Sequence, residues 1–215
     1  MPRTKTRADF TDPIIRGFVN FSFHDYVAGR TLLMKNMPTQ GTILGVTALE
    51  KLMKAICLLH GEEITVGGSG HALSDMATKI KTHQNELLTD EDVAFIEHID
   101  KSYKLRYPDN LSENFEIYLP SLKILENLDR VYCKLTTSEK VLELNPDKKM
   151  FDVYITQNKQ LLFNCNVHFN PSLLTKLSDS KQKYAYYRFE VGVGLHETFC
   201  WSTKVKHDGG WEKPE

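Results

Sequence analysis

The amino-acid sequence predicts an α+β fold, in which an antiparallel helical bundle precedes a small antiparallel β unit. Two observations predict the elements. Apolar residues recur at helical spacing through most of the first 140 residues, and β-branched and aromatic residues concentrate after residue 150. The chain has 215 residues, of which 41% are hydrophobic and 26% charged. That is enough material for the buried core of one domain or somewhat more.

Composition divides the chain into four segments. We expect a flexible N-terminus over residues 1–11, the helical bundle over 12–145, a β extension over 146–206, and a disordered polar tail over 207–215. Neither internal repeats nor low-complexity tracts interrupt this order.

Capping residues mark the helix boundaries. Asp12-Pro13 is typical of a helix start, because it combines a side-chain acceptor with a proline suited to the first turn. This helix is expected to end near Asn36. A second helix is predicted from a cap at Thr39 to a stop at Gly61, a glycine in the position after the last turn. Further helices are expected to begin near His71, at Thr89 and at Ser121.

Two strand pairs are predicted in the β extension. Residues 151–155 and 161–169 flank a polar turn at 157–159, which indicates a hairpin. Tyr184–Val193 and Glu197–Val205 indicate a second pair.

Charge and composition argue against several classes of protein. The formal net charge of −1 argues against a strongly basic nucleic-acid binder. The phosphate groups of a nucleic acid would therefore have to bind at a local cluster of basic residues. No apolar run approaches the roughly 18 residues that span a bilayer, and the N-terminus does not read as a secretory signal. The four cysteines lie far apart, which predicts reduced thiols and a cytoplasmic location. No phosphate-binding or dinucleotide-binding fingerprint occurs, and no cofactor is predicted.

Four ordered stretches together resemble one family. They are AGRTLL at Ala28–Leu33, ALEKLMKAICLLHG at Ala48–Gly61, GHALSDM at Gly70–Met76 and YKLRYPDN at Tyr103–Asn110. Their order and separations resemble the HEPN family over about residues 12–140. The resemblance implies an antiparallel bundle of helices and a role in prokaryotic stress or defence.

The resemblance also implies a homodimer that forms through the helices. The apolar stripes of the first two helices are wide enough to cover both a core and a partner. The aromatic residues that would contribute are Phe18, Phe21, Phe23 and Tyr26.

The resemblance to HEPN ribonucleases provides a criterion for catalysis. Those enzymes carry an arginine followed, after four to six residues, by a histidine late in the domain, and no arginine of this chain has such a neighbour. The closest pairs are Arg16 with His24 and Arg188 with His196, each with seven residues between them. The domain is therefore predicted to be a non-catalytic module that binds RNA, a nucleotide or a protein partner.

A divergent metal-independent ribonuclease is the alternative prediction. Its candidate residues are His71, Arg106 and His24. His71 equally fits a structural role at the start of its helix, and His24 beside Asp25 would be an unusual acid–base arrangement.

A cluster of cations and aromatic residues in the β extension is the candidate nucleic-acid site. It consists of Lys181, Lys183, Tyr184, Tyr186 and Arg188. On a strand, Tyr184, Tyr186 and Arg188 share one face, where they could stack bases and contact phosphate. The same residues would also suit a face that covers the helical core or another subunit.

Zinc-like spacing occurs at two places in the β extension. Cys165 and His168 have two residues between them, and His196 and Cys200 have three. However, strand alternation puts Cys165 and His168 on opposite faces unless a bulge intervenes. The four are therefore interpreted as ordinary strand residues, and no metal is predicted.

Overall fold

The computed structural model describes residues 3–66, 73–106, 111–144, 170, 172 and 182–202. The α-helices within them are α1 (Asp12–Met34), α2 (Pro38–Leu59), α3 (Leu73–His83), α4 (Asp90–Asp100), α5 (Ser121–Thr136) and α6 (Glu139–Leu144). The strands are β1 (Arg3–Lys5), β2 (Ile64–Val66), β3 (Phe115–Pro120), β4 (Gln182–Glu190) and β5 (Gly194–Ser202). Short 3₁₀ helices span Arg7–Asp9 and Lys101–Arg106. The fold is thus α+β and mostly helical.

Local capping signals predicted most helix starts correctly. Helix α1 begins at Asp12, where a helix start was predicted, although Thr11 rather than Asp12 is its capping residue. Helix α4 begins after Thr89, whose side chain and backbone form a reciprocal pair of hydrogen bonds with Asp92. Gly61 follows α2 with a φ of 80°, in the left-handed region that favours glycine.

The predicted cap of α2 at Thr39 is wrong. The helix starts at Pro38, so that Met37 is the capping residue and Thr39 lies inside the first turn. The Thr39 hydroxyl instead lies 2.6 Å from the hydroxyl of Tyr187 on strand β4. It therefore joins the bundle to the sheet.

Three segments that were not predicted as strands are extended, namely β1, β2 and β3. Strand β1 pairs with β2, although residues 1–11 were expected to be flexible. Strand β3 lies within the segment assigned to the helical bundle, yet it pairs with β4. Because one of its strands precedes α5, the sheet is not built from the C-terminal segment alone.

The three-stranded sheet has the antiparallel order β3-β4-β5. Strands β4 and β5 are the predicted second pair, but Val191–Val193 form the turn between them rather than the end of the first strand. The turn contains Gly192 and is followed by Gly194, whose φ values are 82° and 113°. The other predicted hairpin, over residues 151–169, lies outside the described residues.

Helix α2 is the centre of the core. It packs against α1, α3, α4 and α5, and Leu49, Leu52 and Met53 on it are fully buried. One face of the sheet joins the same core through Ile117, Leu119, Ala185 and Tyr187. In the part of the chain that the structure describes, no helix is both long and apolar enough to cross a membrane.

Candidate functional site

The face of the sheet that points away from the helices is the candidate site, and we call it the outer face. Residues at alternate positions of β3 and β4, such as Ile117, Ala185 and Tyr187, are buried in the core. Their neighbours along each strand therefore point the other way, because side chains alternate across a strand. The outer face includes Glu116, Tyr118, Tyr184, Tyr186, Arg188, Glu190, His196 and Thr198.

This arrangement excludes one interpretation of the predicted cluster, in which it covers the helical core. Tyr184, Tyr186 and Arg188 share one face of β4, and that face does not cover the helical core. Arg188 is 54% exposed. Lys181 lies outside the described residues, and the side chain of Lys183 is not described although its backbone is part of β4.

Strand register arranges the outer face in rows that cross all three strands. One row is Glu116, Arg188 and His196, in which Arg188 is directly opposite each of the other two. We call it the charged row. The next row is Tyr118, Tyr186 and Thr198. Directly opposite residues have Cβ atoms about 5 Å apart, so each row is a set of touching neighbours.

The tyrosines form an aromatic surface on the outer face. The rings of Tyr118 and Tyr184 meet edge to face, with centroids 5.0 Å apart and planes at 67°. Tyr186 lies opposite Tyr118 and two residues from Tyr184 on the same strand. All three rings are only partly buried, so part of each remains open to a ligand.

Two neighbouring carboxylates, one in the charged row and one at the end of β4, neutralise Arg188. The Arg188 Nε lies 3.4 Å from a Glu116 carboxylate oxygen, and its Nη2 lies 2.5 Å from Glu190. The Tyr186 hydroxyl is hydrogen-bonded to Glu116, and desolvation together with that carboxylate raises the pKa of Tyr186. Because Arg188 and Glu116 are both more than half exposed, these ion pairs are weak and an anionic ligand can replace a carboxylate.

Among the described residues, hydrogen bonds from Tyr187 and His98 join the sheet to the bundle. The Tyr187 hydroxyl contacts Thr39 of α2 and donates to Glu197 of β5. His98 of α4 lies with its Nε2 2.7 Å from the backbone carbonyl of Tyr118. Since a carbonyl oxygen only accepts, that nitrogen carries the proton.

The catalytic candidates lie on separate elements. His24 is exposed on α1, and Arg106 ends the 3₁₀ helix. Arg106 donates to the hydroxyl of Tyr103 at 2.9 Å and lies over its ring at 4.8 Å. His71 lies outside the described residues. The structure therefore describes no site that contains the three together.

The zinc-like set is only partly visible. Cys165 and His168 lie outside the described residues, and Cys200 is described only in its backbone. His196 belongs to the outer face. No group of three or more His, Cys, Asp or Glu side chains could hold a metal ion within the ranges that the structure describes.

The aromatic residues expected at a dimer contact divide between core and surface. Phe23 and Tyr26 are buried in the core, whereas Phe21 is 63% exposed. Phe18 is partly buried.

A buried polar network was missed by the sequence analysis. Arg30 of α1 donates to both carboxylate oxygens of Asp129 on α5, at 2.6 and 2.9 Å. The Tyr26 hydroxyl donates to the same carboxylate at 2.7 Å, and its ring stacks on Tyr132. The Arg30 and Asp129 side chains are 2% and 0% exposed. A ligand cannot reach such groups, so we assign the network to stability.

Glu116 and Tyr118 were also missed, although a signal existed. The sequence FEIYLP alternates polar and apolar residues, which is the pattern of a strand with one buried face.

No protein-family model matches this chain, and comparisons with curated proteins and with solved structures give no match. The HEPN resemblance therefore rests on the sequence motifs alone.

Proposed function

We propose that this chain is a non-enzymatic, HEPN-like module that binds single-stranded RNA on the outer face. The observation that carries the proposal is the grouping of Tyr118, Tyr184 and Tyr186 beside Arg188 on an accessible sheet surface. Unpaired bases stack on aromatic side chains, and an arginine among them can contact the phosphate backbone.

Stacking, rather than charge, supplies most of the affinity in this proposal. The net charge of the chain is −1, and Arg188 already has carboxylate neighbours. A phosphate would exchange with one of these carboxylates at an exposed position. For single strands, the slope of log affinity against log salt is about −0.7 per neutralised phosphate, so we expect a shallow slope near that value.

Tyr186→Ala is expected to weaken binding of a fluorescein-labelled single-stranded RNA about tenfold or more. The physical reason is that one base–aromatic stack contributes roughly 1–3 kcal/mol. Fluorescence anisotropy at fixed salt measures the effect. Tyr186→Phe is the matched control, because it keeps the ring and should retain most of the affinity.

Two arginine variants test the contact with phosphate in the same assay. Arg188→Ala should weaken binding and flatten the salt dependence, whereas Arg106→Ala, which removes an exposed arginine beside a tyrosine elsewhere, should do neither. RNA binding that is insensitive to Tyr186→Ala would contradict the proposal. Failure to bind RNA at all would leave a protein partner as the ligand, since tyrosine and arginine are also enriched at protein interfaces.

The charged row supports a second candidate function, that of a metal-independent ribonuclease. Its catalytic residues would differ from the ribonuclease candidates that were predicted from the sequence. In it, Glu116 accepts the proton of a ribose 2′-hydroxyl, and the oxygen attacks the adjacent phosphorus while Arg188 contacts the phosphate. The 5′-oxygen leaves with a proton from His196. The products are a 2′,3′-cyclic phosphate and a 5′-hydroxyl, so that atoms and charges balance without a metal. The order Glu116, Arg188, His196 across the strands supports this assignment.

Incubating the labelled RNA with EDTA and separating it on a denaturing gel distinguishes the two candidates. For the binding module, the RNA is expected to stay intact because the tyrosines and Arg188 hold bases and phosphate without transferring a proton. Cleavage that is lost in both Glu116→Gln and His196→Gln, but kept in His24→Gln, would favour the ribonuclease. A probe with 2′-deoxyribose throughout is the substrate control, because it has no attacking hydroxyl.

A further inference from the structure

Glu116 is an acidic residue on a surface that we propose to bind a polyanion. Its side chain is 56% exposed, and its carboxylate accepts a hydrogen bond from the hydroxyl of Tyr186. A carboxylate at this position repels the phosphate backbone of a nucleic acid, and the net charge of the whole chain is −1. Glu116 therefore opposes the binding of RNA unless it accepts hydrogen bonds from the RNA itself.

The two carboxylates beside Arg188 differ in how closely they approach it. A Glu190 oxygen lies 2.5 Å from Nη2 of the arginine, whereas a Glu116 oxygen lies 3.4 Å from its Nε. Because the contact of Glu116 is longer and weaker, Glu116 is the carboxylate that a phosphate on Arg188 displaces. The displaced group then needs new donors, since a carboxylate accepts about four hydrogen bonds and the Tyr186 hydroxyl supplies only one.

A base stacked on Tyr186 is the nearest source of such donors. The hydrogen bond from the Tyr186 hydroxyl places the Glu116 carboxylate at one end of the tyrosine ring. The edge of a base that lies on this ring is then beside the carboxylate. Because the Glu116 side chain is flexible and more than half exposed, its carboxylate can turn into the plane of the base.

The bases differ in the donors that they present to a carboxylate. Guanine has two N–H donors side by side, at N1 and N2, and they match the two oxygens of a carboxylate. Adenine and cytosine each have one amino group next to an acceptor nitrogen. Uracil has one N–H between two carbonyl oxygens. With any base other than guanine, one carboxylate oxygen therefore lacks a donor or faces an acceptor.

We propose that Glu116 selects guanine at the position that stacks on Tyr186. The N1–H and N2–H groups of guanine donate to the two carboxylate oxygens, while Arg188 contacts a phosphate of the same strand. This inference rests on the proposed function, because it names the base that the RNA-binding surface prefers. The two hydrogen bonds offset the repulsion between Glu116 and the phosphate backbone.

Fluorescence anisotropy with short, fluorescein-labelled uridine oligonucleotides tests the preference in the wild-type chain. The probes differ only in the central nucleotide, which is guanosine, inosine, adenosine, cytidine or uridine. Inosine is guanosine without the N2 amino group, so it offers the carboxylate only N1–H. We expect the guanosine probe to bind about tenfold more tightly than the inosine probe, because it makes one more hydrogen bond to a charged acceptor. The other three probes should bind no more tightly than inosine.

Glu116→Gln is expected to abolish the difference between guanosine and inosine. A glutamine amide pairs with N1–H and with the O6 carbonyl, which both bases possess, so the two probes should bind equally well. Glu190→Gln is the matched control. It removes the other carboxylate beside Arg188 but leaves Glu116 in place, so the preference of about tenfold should remain.

The outcomes separate this inference from the proposed function. Binding that is lost in Tyr186→Ala but is equal for guanosine and inosine in the wild type would overturn the guanine preference and leave the proposed function standing. A guanosine preference that persists in Glu116→Gln would overturn the role of Glu116. Absence of binding to every probe would refute the proposed function, and this inference with it.

Discussion

Asp129→Ala is expected to lower the free energy of unfolding by about 3–5 kcal/mol. The substitution leaves the Arg30 guanidinium buried without the carboxylate that accepts two of its hydrogen bonds. It also removes the acceptor of the Tyr26 hydroxyl. Burial and Asp129 raise the pKa of Tyr26, which therefore stays a protonated donor that needs an acceptor at any ordinary pH.

Urea denaturation followed by circular dichroism measures this loss. Lys81→Ala is the matched control, because it removes one partner of an ion pair whose Asp90 side chain is 96% exposed, and little change is expected. The double variant Arg30→Met with Asp129→Leu should recover much of the stability, since a buried ion pair can be replaced by apolar residues of similar size. If Asp129→Ala unfolds no more easily than Lys81→Ala, the Arg30–Asp129 pair is not buried as described.

The same pair shows what the sequence could not reveal. The helical periodicity around Arg30 correctly predicted α1, because caps and apolar spacing act over a few residues. The carboxylate partner of Arg30, however, lies 99 residues further along the chain, where local spacing carries no information. Arg30 was therefore predicted only as part of an amphipathic helix.

Only part of the outer face could be predicted from the sequence, because its residues come from strands that are distant in the chain. Tyr184, Tyr186 and Arg188 lie on one strand, so period-two alternation alone assigns them to one face. Glu116 and Tyr118 join them through a strand pairing between distant segments, which depends on tertiary packing. The prediction of Thr39 as the cap of α2 was wrong for a different reason. Threonine is a good capping residue by type, but Pro38 already occupies the first helical position.

Gly41→Ala is expected to destabilise the protein by about 1–3 kcal/mol, although alanine is the better helix former. A Cβ at Gly41 would lie 2.7 Å from Leu33 Cγ, 2.9 Å from the Gly29 carbonyl oxygen and 2.9 Å from the Leu33 amide nitrogen. The last two atoms belong to the backbone of α1 and cannot move without shifting the helix. Helices α1 and α2 would have to separate, which loosens the close packing between them.

Gly17→Ala is the control that isolates this steric effect, because it makes the same change on α1. A Cβ at Gly17 would meet no atom within 4 Å, so that only the helix-propensity gain remains. We expect Gly17→Ala to stabilise the protein by roughly 0.5–1 kcal/mol, in the opposite direction to Gly41→Ala. Thermal denaturation of both variants measures the difference. Equal shifts in Tm would mean that α1 and α2 do not approach closely at Gly41, and the core built around α2 would then need a different packing.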